Sequence, residues 1–414
     1  MISDPQPLKE PQTMRAGPSQ EDIRRHNLGA LLRHVHLGGP ISRAELTSKM
    51  GLNRSTIMAL TSDLTAAGLV REELPRETGR AGRPSLVVRP ESARVYVFAF
   101  DVGPDRLVAA RVGLGGVILD RRETTRERGK FALDELAGVL SGFARQMRRK
   151  TRDDTVCVGA AAAVSGGVRK GDGVVTFGPN LMAHDVPFGE ELGRRLGLGL
   201  PVSVGNDANL VALAEHSRGG GGPVRDLICL HGDVGIGGGI ITGGHLLGGF
   251  DGYGGEVGHM VVNPGGRECS CGSHGCLEAE VGERALLELA GRFGPGQHGR
   301  DAVRAVVDAA DRGDIVAQEA LSRVGDWLGL GVANLVNIFN PEMVIFGGML
   351  REVYLGSAAQ VRSRLALHAM APQREHVRLR TSALGDHATL VGAAELAFAH
   401  VLADPLEVLA RVST

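Results

Sequence analysis

Three cysteines and one histidine lie close together in the second half of this 414-residue chain, in a pattern suited to metal binding. Three thiolates and one imidazole form the tetrahedral Cys₃His set typical of structural zinc. Four protein ligands leave no position open for a catalytic water. The pattern therefore predicts one structural zinc ion per chain, held by His259, Cys269, Cys271 and Cys276.

Two alternatives to this ligand set remain open. His274 lies inside the cysteine loop and could replace His259 as the nitrogen ligand, or the cysteines could be free and buried without a metal. Disulfides are disfavoured because the chain has five cysteines, an odd number, and three of them are clustered. Cys157 and Cys229 fall in apolar strands and are predicted to be core residues.

The overall composition indicates a globular protein of more than one domain, with 43% hydrophobic and 22% charged residues. No apolar run approaches the roughly 18 residues of a membrane-spanning helix. The first 14 residues resemble neither a secretory signal nor a transit helix. We therefore expect a cytoplasmic protein without membrane association, with a disordered tail at residues 1–20.

Residues 21–90 are predicted to form a winged helix-turn-helix domain. Apolar residues recur near helical spacing over 21–37, and Ser42 to Glu45 form a capping box that begins a second helix. Asn53 can cap a third helix whose first turn presents polar side chains, as a helix that enters the DNA major groove does. The candidate DNA contacts on these helices are Ser42, Arg43, Asn53, Arg54, Ser55 and Thr56.

A basic loop between two predicted strands, 69–73 and 86–88, would form the wing of this domain. The loop carries Arg76, Arg80 and Arg83, which suit phosphate or minor-groove contacts. Residues 15–90 hold 12 Lys and Arg against 7 Asp and Glu, whereas the whole chain has a net charge of -1. A small helical domain for dimerisation or protein contact is the alternative. Capping, turn, wing and local charge together favour DNA binding.

The rest of the chain alternates strands and helices. Three strands between Val95 and Asp120 predict a β-meander, a helix is expected over 131–148, and further strands over 156–164 and 202–205. Two α/β lobes with a cleft between them are the simplest architecture. We assign residues 91–205 and 386–414 to the first lobe, and residues 206–385, with the zinc motif, to the second.

Several of these motifs together resemble the ROK family of repressors, open-reading-frame proteins and sugar kinases. The resemblance covers residues 21–402 and rests on Asn206-Asp207-Ala-Asn209, Gly235 to Ile241, Glu256 to His259 with the cysteine motif, and Asn340 to Gly348. It implies an actin-like, two-lobed fold of the sugar kinase and heat-shock ATPase superfamily. The winged helix in front is similar to that of the family's regulators. A homodimer or tetramer is also implied.

The resemblance further implies a sugar site. Its candidate residues are Gly166, Asn206, Asp207, Glu256, His259 and Glu278. Taken alone, Asn206 and Asp207 could be an ordinary helix cap. His259 would hold zinc with one ring nitrogen and face a sugar hydroxyl with the other. In the family's kinases Asp207 would be the general base that removes a proton from the attacking sugar hydroxyl.

Both phosphate-binding loops depart from the family's kinase pattern. The first normally reads Asp-x-Gly-Gly-Thr, whereas here Pro104 and Asp105 follow Gly103, so a backbone donor is lost and a free negative charge replaces a phosphate-facing hydroxyl. The second normally has a threonine where Val234 stands. The glycines that remain in these loops, out of 61 in the chain, would then keep the shape of the fold.

We therefore expect a sugar-responsive regulator, a repressor relieved by its ligand, that binds a palindromic operator through its winged helix and senses a sugar or sugar derivative through a degenerate kinase body. The alternative is an ATP-dependent hexose kinase carrying a DNA-binding arm, with Asp207 as its catalytic residue. A third reading is a binding module in which sugar plays no part and the body only dimerises.

Overall fold

The structure is a computed structural model, and it describes residues 19–75, 85–128, 132–178, 181–200, 202–219 and 224–412. The expected disordered tail falls almost entirely outside these residues, but Ser19 caps the first helix and Gln20 begins it. The N-terminal domain of the protein contains α1 (Gln20–Gly38), β1 (Ile41–Ser42), α2 (Arg43–Met50), α3 (Arg54–Ala66), β2 (Val70–Glu73) and β3 (Val87–Pro90). The three strands form one antiparallel sheet in the order β1-β3-β2.

Local sequence signals explain where these helices begin. The Ser42 side chain accepts from the backbone of Glu45, and the Glu45 carboxylate accepts from the backbone of Ser42, so the predicted capping box is confirmed. Asn53 caps α3 by accepting from the backbone of Thr56. Ile57, Leu60 and Leu64 form the buried stripe of α3, which leaves its first turn exposed.

The next segment builds a five-stranded sheet in the order β11-β7-β4-β5-β6. Its elements are β4 (Val95–Val102), β5 (Arg106–Gly113), β6 (Val117–Thr125), α4 (Leu133–Arg148), β7 (Val156–Val164), β8 (Gly167–Val168), β9 (Val175–Gly178), β10 (Ala183–Val186), α5 (Phe188–Leu196) and β11 (Val202–Asn206). The predicted meander is confirmed as antiparallel β4-β5-β6, while β7 pairs in parallel with β4 and β11. A small antiparallel sheet, β10-β9-β8, lies beside it.

A second five-stranded sheet has the order β14-β13-β12-β15-β16. The elements of this part are α6 (Asp207–Arg218), β12 (Leu227–Gly232), β13 (Ile236–Thr242), β14 (His245–Leu246), α7 (Leu277–Val281), α8 (Glu283–Leu289), α9 (Arg300–Asp311), α10 (Ile315–Phe339), β15 (Met343–Gly348), α11 (Leu350–His368), α12 (Ala371–His376) and β16 (Arg378–Thr381). Helix α6 packs against β12 and β13. Helices α7 to α11 contribute to the core that covers this sheet.

The chain then returns to the first sheet through α13 (Ala388–Ala403) and α14 (Pro405–Val412). Helix α13 packs on β4, β7, α6 and α1. Leu28 and Leu32 of α1 share one buried cluster with Phe398 and Leu402 of α13, so the N-terminal domain and the first lobe have a continuous core. Among the described residues no single helix is long and apolar enough to cross a membrane; α13 with its preceding turn and α14 meet that test only together, across a bend of 100°.

Candidate functional site

The six residues predicted to contact sugar line one cleft, with a volume of about 380 Å³, between the two sheets. They are Gly166, Asn206, Asp207, Glu256, His259 and Glu278. Strand β11 ends at Asn206, and α6 begins at Asp207, so the strand end delivers both polar side chains to the cleft. Residues far apart in sequence therefore meet where the family resemblance implied a sugar site.

Hydrogen bonds fix the orientation of Asn206 and Asp207. The Asn206 amide donates to the Gly166 carbonyl (3.1 Å) and accepts from the Asn209 N–H (3.0 Å), so the helix-cap role and the cleft position coexist. One Asp207 oxygen accepts from the Ala208 N–H (2.8 Å), and the other accepts from the Ser165 hydroxyl. Burial raises the pKa of Asp207, and these donors oppose that shift.

Glu278 and Glu256 reach the cleft from the second lobe. The Glu278 carboxylate accepts from the Ile236 N–H and from the Ser270 hydroxyl, each at 2.9 Å, and this holds it against the second loop. Glu256 keeps accessible surface in the cleft, while desolvation by its surroundings raises its pKa. Both carboxylates can accept hydrogen bonds from neighbouring sugar hydroxyls.

The ligand atoms of His259, Cys269, Cys271 and Cys276 lie within 4.8 Å of one another and could hold a metal ion. The Cys271 and Cys276 sulfurs are 3.7 Å apart, and Cys269 Sγ is 3.5 Å from His259 Nδ1. Zn–S bonds of about 2.3 Å in a tetrahedron place sulfurs about 3.8 Å apart, whereas a disulfide needs about 2.05 Å. The donor set and its spacing therefore fit zinc and do not fit a disulfide.

The alternative ligand, His274, is not part of this group. It is exposed and pairs through its backbone with Glu268. His259 points Nδ1 at the thiols and itself lines the cleft, so its other ring nitrogen, Nε2, is the one available to a ligand there. Cys157 and Cys229 are buried in β7 and β12, as predicted for core residues.

The first phosphate-loop position is occupied by an ion-pair network that joins the two lobes. Asp105 pairs with Arg128 at the end of the meander, and the Arg128 guanidinium also donates to Glu283 at the start of α8 (3.0 Å). These two carboxylates raise the pKa of Arg128 against the opposing effect of burial. Our expectation of a free negative charge at Asp105 needs correction, because Arg128 neutralises it.

The predicted DNA contacts divide into three groups. Arg54, Ser55 and Thr56 lie in the first turn of α3, and the Arg54 side chain has no hydrogen-bond or ion-pair partner among the described residues. Asn53 caps that helix. Ser42 caps α2, and Arg43 pairs with Glu72 of β2, so both side chains hold the domain together and their DNA contacts stay predictions. Arg76, Arg80 and Arg83 lie outside the described residues.

Comparison with known proteins decides the family. A sequence model described as the ROK family matches residues 97–400. The chain belongs to the ROK family. A xylose repressor of Caldicellulosiruptor bescii is 30% identical over 378 residues, which are 88% of this chain and 93% of that protein. The DNA-binding transcriptional repressor Mlc of Escherichia coli is 28% identical over 383 residues, 90% of this chain and 93% of its own.

Solved ROK structures agree with the architecture. A ROK family transcriptional regulator described as a homologue of E. coli Mlc matches with a TM-score of 0.76 at 26% identity, covering 94% of this chain and 99% of its own. A ROK glucokinase from Streptomyces griseus, solved with glucose and AMPPNP, matches with a TM-score of 0.62 at 29% identity, over 73% of this chain and 99% of its own. The predicted actin-like, two-lobed fold behind an N-terminal winged domain is confirmed.

Sequence reasoning missed the charged residues that connect parts of this ROK chain. Arg128 links the two lobes, and a buried group of His36, Arg218 and Glu395 links the N-terminal domain to the body. Each contact joins residues separated by at least 155 positions. No local spacing marks such pairs, so nothing in the sequence identified them.

Proposed function

We propose that this ROK chain is a sugar-responsive transcriptional repressor whose body binds a sugar without phosphorylating it. The observation that carries the proposal is the course of α6, which begins in the sugar cleft and ends at the junction with the DNA-binding domain. The repressor names of its relatives support the same function. We further propose a cytoplasmic homo-oligomer that binds a palindromic operator.

The first end of α6 carries Asn206 as its cap and Asp207 as its first residue, both in the cleft. The helix has 12 residues, so it is about 18 Å long. A rigid helix of this length can transmit a shift of the cleft residues to a site that no sugar touches.

The other end of α6 carries Arg218, whose Nε donates to Glu395 of α13 at 2.5 Å. Glu395 also accepts from His36 Nε2 of α1 at 3.1 Å, and the Gly115 N–H donates to His36 Nδ1 at 2.8 Å. Burial lowers the pKa of His36, which favours the neutral ring, and the Arg218 guanidinium lies 2.7 Å from Nε2. The His36 side chain is completely buried, so these bonds fix α1 on the body.

Packing makes α6 and α13 a single unit. A Cβ at Gly392 of α13 would stand only 2.0 Å from the Leu210 carbonyl of α6, so only glycine permits this contact. A sugar that binds one arrangement of the lobes better than another would therefore shift the position of α1, and with it α3. Equal affinity for both arrangements would shift nothing.

The test is a DNA-binding titration of the full chain by fluorescence anisotropy, using the region upstream of its own gene. We expect the effector sugar to weaken binding by about 5- to 150-fold, the usual range of coupling between two sites. Calorimetry on the same sample identifies the sugars that bind. Unchanged DNA affinity at a sugar concentration that saturates the cleft would contradict the proposal.

Arg54→Ala is expected to weaken operator binding about 5- to 150-fold, because this unpaired guanidinium stands at the first turn of the recognition helix. Affinity should also fall steeply with salt. Arg312→Ala, at an exposed position after α9, is the matched control and should bind like the wild type. If Arg54→Ala binds the operator as tightly as Arg312→Ala, then α3 is not part of the DNA interface.

We also propose that the Cys₃His group holds a structural zinc ion. His259, Cys269, Cys271 and Cys276 would bind it, and the ion would supply a rigid cross-link between the loop and the start of α7. Because His259 and Glu278 line the sugar cleft, this cross-link would fix the position of that part of the cleft wall.

A hexose kinase is the second candidate, because Asp207 is present and a ROK glucokinase shares the fold. The Ser165 hydroxyl already donates to one Asp207 oxygen, and the other accepts a backbone N–H. Each carboxylate oxygen keeps a second lone pair, so these bonds orient Asp207 without preventing it from acting as a general base. The feature that disfavours a kinase is the first phosphate loop, where Asp105, paired with Arg128, stands in place of the phosphate-facing hydroxyl.

We expect ADP formation with glucose, mannose, xylose or N-acetylglucosamine to stay at the level without enzyme. The S. griseus glucokinase serves as the positive control. Asp207→Asn should lower sugar affinity, because an oxygen acceptor becomes an N–H₂ donor, without altering that ADP baseline. Sugar-dependent ADP formation that disappears in Asp207→Asn would establish the kinase instead.

A further inference from the structure

The cleft is lined by several acidic side chains, and its described lining contains no lysine or arginine. The acidic residues are Asp207, Asp233, Glu256 and Glu278. We infer that the effector is an uncharged sugar, and that this ring of carboxylates rejects sugars bearing a phosphate or carboxylate group. The inference rests on the proposed sugar-binding function.

Two arginines near the cleft are already paired with carboxylates. Arg106 lies 3.7 Å from Asp101, a buried carboxylate of β4. Arg128 is held by Asp105 and Glu283. A phosphate entering the cleft would have to break one of these pairs to find a counter-ion. Each broken pair would leave a carboxylate uncompensated.

The His231 imidazole in the cleft supplies no positive charge. Burial lowers the pKa of His231, so its ring is neutral at neutral pH. His259 faces the thiols with Nδ1. With the proposed Zn²⁺ ion bound, the three thiolates would give the cluster a net charge of -1, so it would add no attraction for an anion.

Among the acidic residues of the cleft, we expect Asp233 to contribute most to the discrimination between neutral and anionic ligands. It lies in the second phosphate loop, where it is followed by Val234 and Gly235 in the cleft wall, and burial of its carboxylate raises its pKa to about 6, so it is mostly ionised at neutral pH. It has no salt-bridge partner among the described residues. A phosphate group on this side of the cleft would face an unneutralised carboxylate across low-dielectric walls.

The remaining surface suits the body of a neutral sugar ring. Phe177 of β9 and Tyr253 of the loop after β14 come from opposite lobes, line the cleft, and stay partly exposed. Sugar rings have apolar C–H faces that pack on aromatic side chains, while carboxylates accept the hydroxyls at the ring edge. The cleft thus offers contacts for hydroxyls and for ring faces.

Calorimetry on the full chain tests the inference with neutral sugars and their anionic counterparts. Glucose is compared with glucose 6-phosphate and with glucuronate, N-acetylglucosamine is compared with its 6-phosphate, and xylose is a further neutral sugar. For the pair whose neutral member binds, we expect the anionic member to bind at least about 100-fold more weakly. Asp233→Asn should reduce the ratio of the neutral sugar's affinity to that of its anionic counterpart. Asp311→Asn, which replaces an exposed acid on α9, should leave this ratio unchanged.

The outcomes separate the inference from the function on which it rests. Equal or tighter binding of a sugar phosphate or glucuronate, with DNA release by that ligand, overturns the inference and leaves a sugar-responsive repressor. A ratio of the expected size that Asp233→Asn fails to reduce also overturns it, because the discrimination then comes from shape. If no sugar of either kind binds, the proposed function itself fails.

Discussion

Cys271→Ser is expected to release the metal from the Cys₃His group and to disorder the loop between His259 and α7. Structural zinc sites contribute on the order of 10 kcal/mol to folding in isolated zinc-finger peptides. Cys271 is exposed, so its replacement removes a ligand without opening a cavity in the core. Any loss of stability then reports the metal and not packing.

The measurement is metal content by mass spectrometry, expected to fall from about one zinc per chain to none, together with a thermal melt. Sugar affinity should fall with it, because His259 and Glu278 lie on either side of the cysteines. Cys229→Ala, at a buried thiol of β12 away from the group, is the control that keeps its zinc. Metal-free wild-type protein that is fully folded and binds sugar would contradict the prediction.

Much of the site was predictable because it rests on local patterns. The capping box at Ser42, the cap at Asn53 and the spacing of the cysteines each reflect contacts within a few residues. The predicted sugar residues come from distant segments of the chain, so local patterns could not group them. The family resemblance implied that they share one site. Their roles in binding stay predictions, although all of them line the same cleft.

What could not be predicted depends on long-range pairing. The sequence showed Asp105 as a new charge but not Arg128, which neutralises it. Gly235 is a similar case. A Cβ there would stand 2.1 Å from the Glu278 carboxylate, so this glycine makes room for a cleft residue whether or not any phosphate binds. The surviving glycines of the second loop are therefore poor evidence for nucleotide binding.

Removing one member of the buried junction should have a large effect on stability. Arg218→Met leaves Glu395 without its main counter-charge in a site where the Glu395 side chain is only 7% exposed. Breaking a buried pair in this way costs about 3–5 kcal/mol. His36 and Arg218 lower the pKa of Glu395 against the effect of burial, so removing Arg218 also raises that pKa.

Urea unfolding of Arg218→Met measures this loss. Arg152→Met is the matched control, because Arg152 forms a highly exposed pair with Asp154 at 3.0 Å and such pairs contribute about 0–1 kcal/mol. A loss in Arg218→Met no greater than in the control would mean that the junction does not hold the DNA-binding domain to the body.

Stability and signal transmission can be separated by replacing the whole pair. The double variant Arg218→Met with Glu395→Leu substitutes apolar side chains for both charges, and such replacements are often neutral or stabilising. We expect it to fold and to bind sugar and DNA separately, but to lose the weakening of DNA binding by sugar, because α6 no longer holds α1 through His36. Retention of the full sugar effect in this variant would place the coupling in the shared apolar core of α1 and α13, and not in the buried charges.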